Sequence, residues 1–278
     1  MALWGSSSME GGLGAEYTPK PVFVHEELTL AMNPVQVRNL AYGAQSSTHT
    51  LILRGLATPV VELPTGYSGA KQQVRVRTSA KGLPTFRCPG TVGAMHGTLT
   101  GDDRGRWWFE ADRDAQISAE SAEFISDWKA ATADARHVVW TGKNNLHELE
   151  QVIDDVDQLV SAAKDPKGGV IVLGQWVTRN DLQKPGIIAN VAEINRVQAS
   201  MYGERFIDVQ QLLTSDTGLR ADPIWELDLL RAPDTLRERE QGIVPTPLRG
   251  TDGIHLSGWG NLLVSWALIQ RMKEMRWL

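Results

Sequence analysis

His137-Val138-Val139-Trp140-Thr141-Gly142-Lys143-Asn144-Asn145 opens the part of the chain that decides its architecture. Its first five residues have the continuous apolar character of a strand buried on both faces, and the glycine ends it in a turn. Leu149, Val152, Ile153, Val156, Leu159 and Val160 then recur at helical spacing, which predicts a helix over 146–163. Asp165-Pro166-Lys167-Gly168-Gly169 breaks it, and Val170-Ile171-Val172-Leu173 is a second buried strand. A second helical pattern runs over 187–202 through Ile187, Ile188, Val191, Ile194 and Val197. Phe206-Ile207-Asp208-Val209 follows as a short strand, and residues 257–275 form a last amphipathic helix. Strands and helices alternating through short links predict an α/β fold with a mostly parallel sheet covered on both faces.

Working toward the N-terminus, Ala2-Leu3-Trp4 reads as a very short strand followed by a turn of small residues. Val35-Gln36-Val37-Arg38-Asn39 reads as another, leading to a helix near 46–54. The scheme then stops. Val60-Val61-Glu62-Leu63, Gln73–Arg77 and Arg106–Glu110 read as strands punctuated by Pro and Gly, with no helical period before about residue 118. The expectation is an α/β domain formed by residues 1–55 and 118–278, interrupted by an inserted β-rich domain at 56–117. Residues 214–250, rich in Pro, Arg and Asp, read as a long crossing loop with room for short helices.

In open α/β sheets, ligands bind beyond the carboxyl ends of the strands. Four segments fall there: Gly5-Ser6-Ser7-Ser8-Met9-Glu10-Gly11-Gly12, Asn39 to Ser47, Gly142 to Leu146, and Asp252-Gly253-Ile254-His255. An aspartate and a histidine three apart, before a helix, suit the back half of a catalytic triad. The carboxylate orients the imidazole, which takes the proton of a nucleophile.

In their order, these segments resemble the motif blocks of the SGNH (GDSL-type) serine hydrolases. Gly5-Ser6-Ser7 stands for the first block, Gly-Asp-Ser. Asn39 to Ala44 stands for the second, Gly142-Lys143-Asn144-Asn145 for Gly-x-Asn-Asp, and Asp252/His255 for Asp-x-x-His. The likeness covers residues 1–55 and 118–278. It implies a flavodoxin-like three-layer α/β/α sandwich carrying the insert. It also implies a Ser7–His255–Asp252 triad, with an oxyanion hole from the N–H groups of Ser7 and Ala44 and the side-chain amide of Asn144. Gly43 is the neighbouring candidate for the second donor. The implied reaction is ester hydrolysis without a cofactor. Its substrate would be an O-acyl group, such as O-acetyl, on a carbohydrate or cell-envelope polymer, with a lipid or small soluble ester also open. The Trp140–Asn145 run and the insert's position bear a looser likeness to esterase modules of bacteriophage tails, which would place the chain on a virion.

Two positions depart from the family. Ser6 replaces the aspartate that braces the first turn, and Ala44 replaces the glycine of the second block, tolerable if its backbone angles suit a Cβ. These departures keep open a non-catalytic binding or structural module on a decayed scaffold. Transfer of the acyl group to a sugar is a third outcome. Ser6 and Ser8 compete with Ser7 for register. Asn144 and Asn145 also read as turn residues, Asn39 as a turn brace, and Asp252 and Ser257 as a helix N-terminus.

Composition narrows the rest. The chain has 278 residues, 42% hydrophobic, with a net charge of −5, which argues against a general electrostatic grip on nucleic acid. No apolar run approaches the roughly 20 residues of a membrane span, and no signal peptide is visible. The first strand starts directly after Met1, consistent with trimming from a longer chain. The single cysteine, Cys88, excludes an internal disulfide. His25, His49, His96, His137 and His147 have no metal-site spacing, and His137 should begin a strand. Asp154, Asp155 and Asp157 read as the solvated face of a helix. Of the ten tryptophans, Trp107 and Trp108, with Phe109, are placed either to pack or to stack on sugar rings. Oligomeric state and compartment are not legible at this level.

Overall fold

The computed structural model describes residues 1–11, 16–113 and 121–278. The strands in chain order are β1 (Ala2–Gly5), β2 (Arg38–Asn39), β3 (Val60–Glu62), β4 (Gln72–Arg77), β5 (Arg87–Val92), β6 (Met95–Gly101), β7 (Trp107–Ala111), β8 (Ser121–Ser126), β9 (His137–Trp140), β10 (Val170–Leu173) and β11 (Phe206–Ile207). The helices are α1 (Ser7–Glu10), α2 (Val24–Ala31), α3 (Ser47–Arg54), α4 (Trp128–Ala131), α5 (Leu149–Ser161), α6 (Ile187–Tyr202), α7 (Val209–Thr214), α8 (Asp216–Leu219), α9 (Pro233–Glu240) and α10 (Gly258–Glu274). None of the helices described is long and apolar enough to cross a membrane.

Five strands form a parallel sheet in the order β11-β10-β9-β1-β2. Side chains alternate across it with period two. Ala2, Trp4, Val139, Val170, Val172 and Phe206 face one buried layer, with α3 and α5. Leu3, Val138, Trp140, Ile171, Leu173 and Ile207 face the other, with α1, α2, α7 and α10. That two-sided burial is why these strands read as unbroken apolar runs. The result is the expected three-layer α/β/α sandwich with flavodoxin-like strand order. From β1 the chain goes outward to β2, then returns to β9 on the other flank. The loops after β1 and β9 therefore border the topological switch, the usual ligand crevice of such sheets.

The insert is a closed antiparallel barrel in the order β3-β4-β7-β6-β5-β8. Val61, Val74, Cys88, Leu99, Phe109 and Phe124 belong to its core. Tyr67 is buried there too, and its hydroxyl donates to the Phe109 carbonyl at 3.1 Å. Burial pushes the Cys88 thiol up to about 12, so it is inert. Strand β8 pairs with both β3 and β5, so barrel structure continues to Ser126, past the expected break at residue 118. That break and Gly12 lie outside the described residues.

Three readings need correction. The strand expected from Val35 shrinks to Arg38–Asn39, because the Val35 N–H turns back to the Met32 carbonyl. Val209 leaves the strand of Phe206 and starts α7, where Asp208 caps the helix. Asp155 is not on a solvated face. It is fully buried and accepts from Ser47 Oγ (2.6 Å), Thr48 Oγ1 (3.0 Å) and Gln151 Nε2 (2.6 Å). Asp154 is exposed and Asp157 half-buried.

Candidate active site

The first turn is built by Gly5 and Ser6. A Cβ on Gly5 would lie 2.6 Å from the Trp140 carbonyl oxygen, so the end of β1 approaches β9 as only glycine allows. Ser6 is extended at the N-cap, and its carbonyl accepts from the Met9 and Glu10 N–H groups. Its own side chain makes no capping bond. Bracing falls instead to Asn39, whose Nδ2 donates to the Met9 and Glu10 carbonyls (3.0 and 3.2 Å) while its Oδ1 accepts from the Ala41 N–H.

Ser7 then points its hydroxyl at His255, with Oγ 2.7 Å from Nε2. On the other side of the ring, Nδ1 lies 2.5 Å from Asp252 Oδ2. With the Nδ1 proton donated to the carboxylate, Nε2 holds the lone pair that accepts the Ser7 proton. Burial would raise the Asp252 carboxyl. The His255 ring and the His255 and Ile254 N–H groups outweigh it and hold the group below its ordinary value. Both N–H groups bond Oδ1 (2.9 and 2.8 Å), closing the turn through Gly253 at φ 68°. Ser257 caps α10 through the Gly260 N–H, fixing the helix directly behind the histidine. Ser6 and Ser8 have no such partner among the described residues.

The residues expected to supply the oxyanion donors come from three loops. Ser7 opens α1, and its N–H has no intrahelical acceptor. Ala44 has φ 63°, a left-handed conformation for a residue with a Cβ, and is exposed. Asn144 is exposed too, and its Nδ2 donates one proton to the Gln45 carbonyl at 2.8 Å, leaving the other free. Gly142, at φ 107°, precedes this turn, and a Cβ there would strike Val152. Asn145 is structural. Its Oδ1 accepts from the Ser47 N–H, and its Nδ2 donates to Ser47 Oγ and Glu148 Oε2. Gly43, the neighbouring donor candidate, lies against Glu10. A backbone hydrogen bond links it to the Glu10 carboxylate, and a Cβ there would sit 3.1 Å from Glu10 Oε2.

Glu10 is the site residue that motif matching misses. Burial raises its carboxyl, and the Gly43 bond and the charge of His255 partly offset this. Its signal was positional: it lies three residues after Ser7, the spacing that shares a helical face.

The barrel also reaches this region. Thr85 Oγ1 donates to the Gly43 carbonyl, and His49 Nε2 donates to the Lys81 carbonyl at 2.8 Å. His49 Nδ1 accepts from the Ser46 hydroxyl at 2.7 Å, and burial keeps the ring neutral-leaning by lowering its pKa. Trp107 is buried edge-on against Phe86 (5.1 Å between centroids), so it packs. Trp108 is half-buried, flanked by Arg106 and bonded to Asp102. Among the described residues no cluster of His, Cys, Asp and Glu could hold a metal ion.

No family model matches the chain, and no curated protein matches it. Two solved structures are similar. TesA is 11% identical over 99% of this chain and 96% of its own, with a TM-score of 0.44. A peptidoglycan O-acetylesterase is 12% identical over 100% of this chain and 91% of its own, with a TM-score of 0.35. At these values neither likeness bears on activity.

Proposed function

We propose that this chain is a serine esterase of the SGNH type. The observation that carries the reading is the continuous relay from Ser7 Oγ through the His255 ring to Asp252. His255 Nε2 removes the hydroxyl proton as Ser7 Oγ attacks the ester carbonyl carbon. The carbonyl oxygen becomes an oxyanion facing the Ser7 and Ala44 N–H groups and the free Asn144 amide proton. As the tetrahedral species collapses, the C–O bond to the alcohol breaks and His255 returns its proton to that oxygen. Water, deprotonated by His255, then attacks the acyl-enzyme and releases the acid and Ser7. Asp252 stays ionised throughout, which its low pKa favours.

The substrate we infer is an O-acyl group, such as O-acetyl, on a carbohydrate or cell-envelope polymer. Support comes from an exposed, polar surround in which Asn144, Asn180 and the Glu10 carboxylate offer partners to hydroxyl groups. The rival reading, a non-catalytic module, rested on Ser6 and Ala44. Asn39 supplies the bracing absent at Ser6, and Ala44 takes the angles of a glycine, so hydrolysis is the better reading.

The test is turnover of p-nitrophenyl acetate by the parent, Ser7→Ala and His255→Ala. Each variant should lose at least about 10³-fold in kcat. Equal rates in all three would overturn the reading. A fluorophosphonate should label Ser7, and release of acetate from an O-acetylated glycan should exceed cleavage of long-chain esters. Product analysis with alcohol acceptors separates hydrolysis from acyl transfer.

A further inference from the structure

Lys143 sits between Gly142 and Asn144, yet its side chain leaves the turn and keeps only 10% of its surface exposed. Its Nζ donates to the Trp176 carbonyl at 2.6 Å and to Asp181 Oδ2 at 2.7 Å, and lies 4.9 Å from the centre of the Trp176 ring. All three contacts belong to the segment after β10. Burial lowers the pKa of the ammonium, and Asp181 opposes this. Burial alone would raise the Asp181 carboxyl. Lys143, with the N–H and hydroxyl of Thr178, outweighs it and holds the group low.

A buried ion pair is a poor way to gain stability, since an apolar side chain of the same length avoids the cost of stripping water from two charges. What the pair supplies is direction. Asn145, on one side of Asn144, is tied by three bonds to Ser47 and Glu148. Lys143, on the other side, is tied to Trp176 and Asp181. Asn144 itself is exposed and has one side-chain anchor, the Gln45 carbonyl. Its heading is therefore set by its neighbours.

Asp181 belongs to the short helical turn Arg179–Gln183, which also meets the histidine side of the site. Asn180 Nδ2 donates to the Asp252 carbonyl at 3.4 Å, and the Asn180 amide lies 3.3 Å from where a Cβ on Gly253 would be. One turn thus touches both the Asn144 loop and the Asp252–His255 loop.

We propose that the buried Lys143–Asp181 pair is a positioning device for the Asn144 amide, and that the Arg179–Gln183 turn holds this amide in register with the Asp252–His255 turn. Lys143 is a positioning residue and does not touch substrate. The proposal rests on the esterase reading above.

A double-mutant cycle tests it: parent, Lys143→Met, Asn144→Ala and the double variant, assayed with p-nitrophenyl acetate. Asp181→Asn serves as a second way to break the pair, and Lys164→Met, from the exposed Lys164–Asp134 pair, as the control. Asn144→Ala should lose about 10²–10³ in kcat. Lys143→Met and Asp181→Asn should each lose about tenfold or more with little change in KM, and Lys143→Met should cost nothing further once Asn144 is alanine. Thermal melts identify any variant that fails to fold, in which case the other pair-breaking variant carries the cycle. Parent kcat in the single variants, or a Lys143 loss repeated in full on Asn144→Ala, would overturn the clamp while leaving the triad standing. If Ser7→Ala works at the parent rate, the esterase reading falls and the clamp falls with it.

Discussion

Ala44 shows how one residue can be both a departure and a fit. The position needs φ 63°, where an alanine Cβ costs roughly 1–2 kcal/mol, and the fold holds it there. Glycine removes that strain but adds about 0.5–1 kcal/mol of unfolded-state entropy. Ala44→Gly should therefore keep kcat within about twofold and shift urea stability by no more than about 1 kcal/mol. Ala44→Val, β-branched in a left-handed position, should lower kcat sharply and reduce the urea midpoint. A large loss in the glycine variant would show that the methyl group itself matters. The angle was invisible in the sequence, where Ala44 appears only as a missing glycine. Ser7, Asp252 and His255, which the structure brings into one hydrogen-bonded chain, were legible because the proposed chemistry demands particular residue types at short spacings. Glu10 was not, because its carboxylate joins the site through the Gly43 backbone and no motif letter records that contact.

At the scale of elements, the parallel strands and the helices α5, α6 and α10 could be read because two-sided burial and helical period mark them. Strands β5 and β6 could not. Their Cys88-Pro89-Gly90 and His96-Gly97-Thr98 runs lack clean alternation, and their pairing partners in the barrel are set by closure. Helix α2 lacked an apolar stripe long enough to stand out. Asp155 was misread because it sits among charged neighbours on α5, although the fold turns it toward the first residues of α3. There it meets the partial positive end of that helix as well as two hydroxyls. Asp155→Ala should cost about 2–4 kcal/mol, measured as a fall in urea midpoint, since it strands buried donors. Asp154→Ala, on the exposed flank, should change little. Equal small effects would put Asp155 back on the surface.

For the whole molecule, one of the groups through which pH acts lies outside the site. His137 is buried in β9 between Trp4 Nε1 (3.0 Å) and the Arg54 guanidinium (3.2 Å). Burial first, and the Arg54 charge second, push it down to about 3 from an ordinary 6.5. Between those values the unfolded chain binds a proton that the folded one refuses. The resulting stability is complete above about pH 6.5 and drains away as pH falls toward 3. Parent Tm should drop more between pH 7.5 and 5 than that of His137→Gln, which cannot titrate. Parallel drops would refute the assignment. The topology was legible as a class, while the seam between sheet and barrel was not, since it depends on Thr85, His49 and Trp107 meeting across distant stretches. That seam has an evolutionary consequence. Strands β3 and β8 are adjacent partners, so the chain enters and leaves the barrel at one place. A recombination replacing everything between them would leave the path of the sheet unbroken. It would still be constrained at one loop, because any incoming barrel must present a donor where Thr85 meets the Gly43 carbonyl and an acceptor where Lys81 meets His49. Gain of a new barrel is thus topologically simple, and keeping the proposed site intact along with it depends on those two contacts.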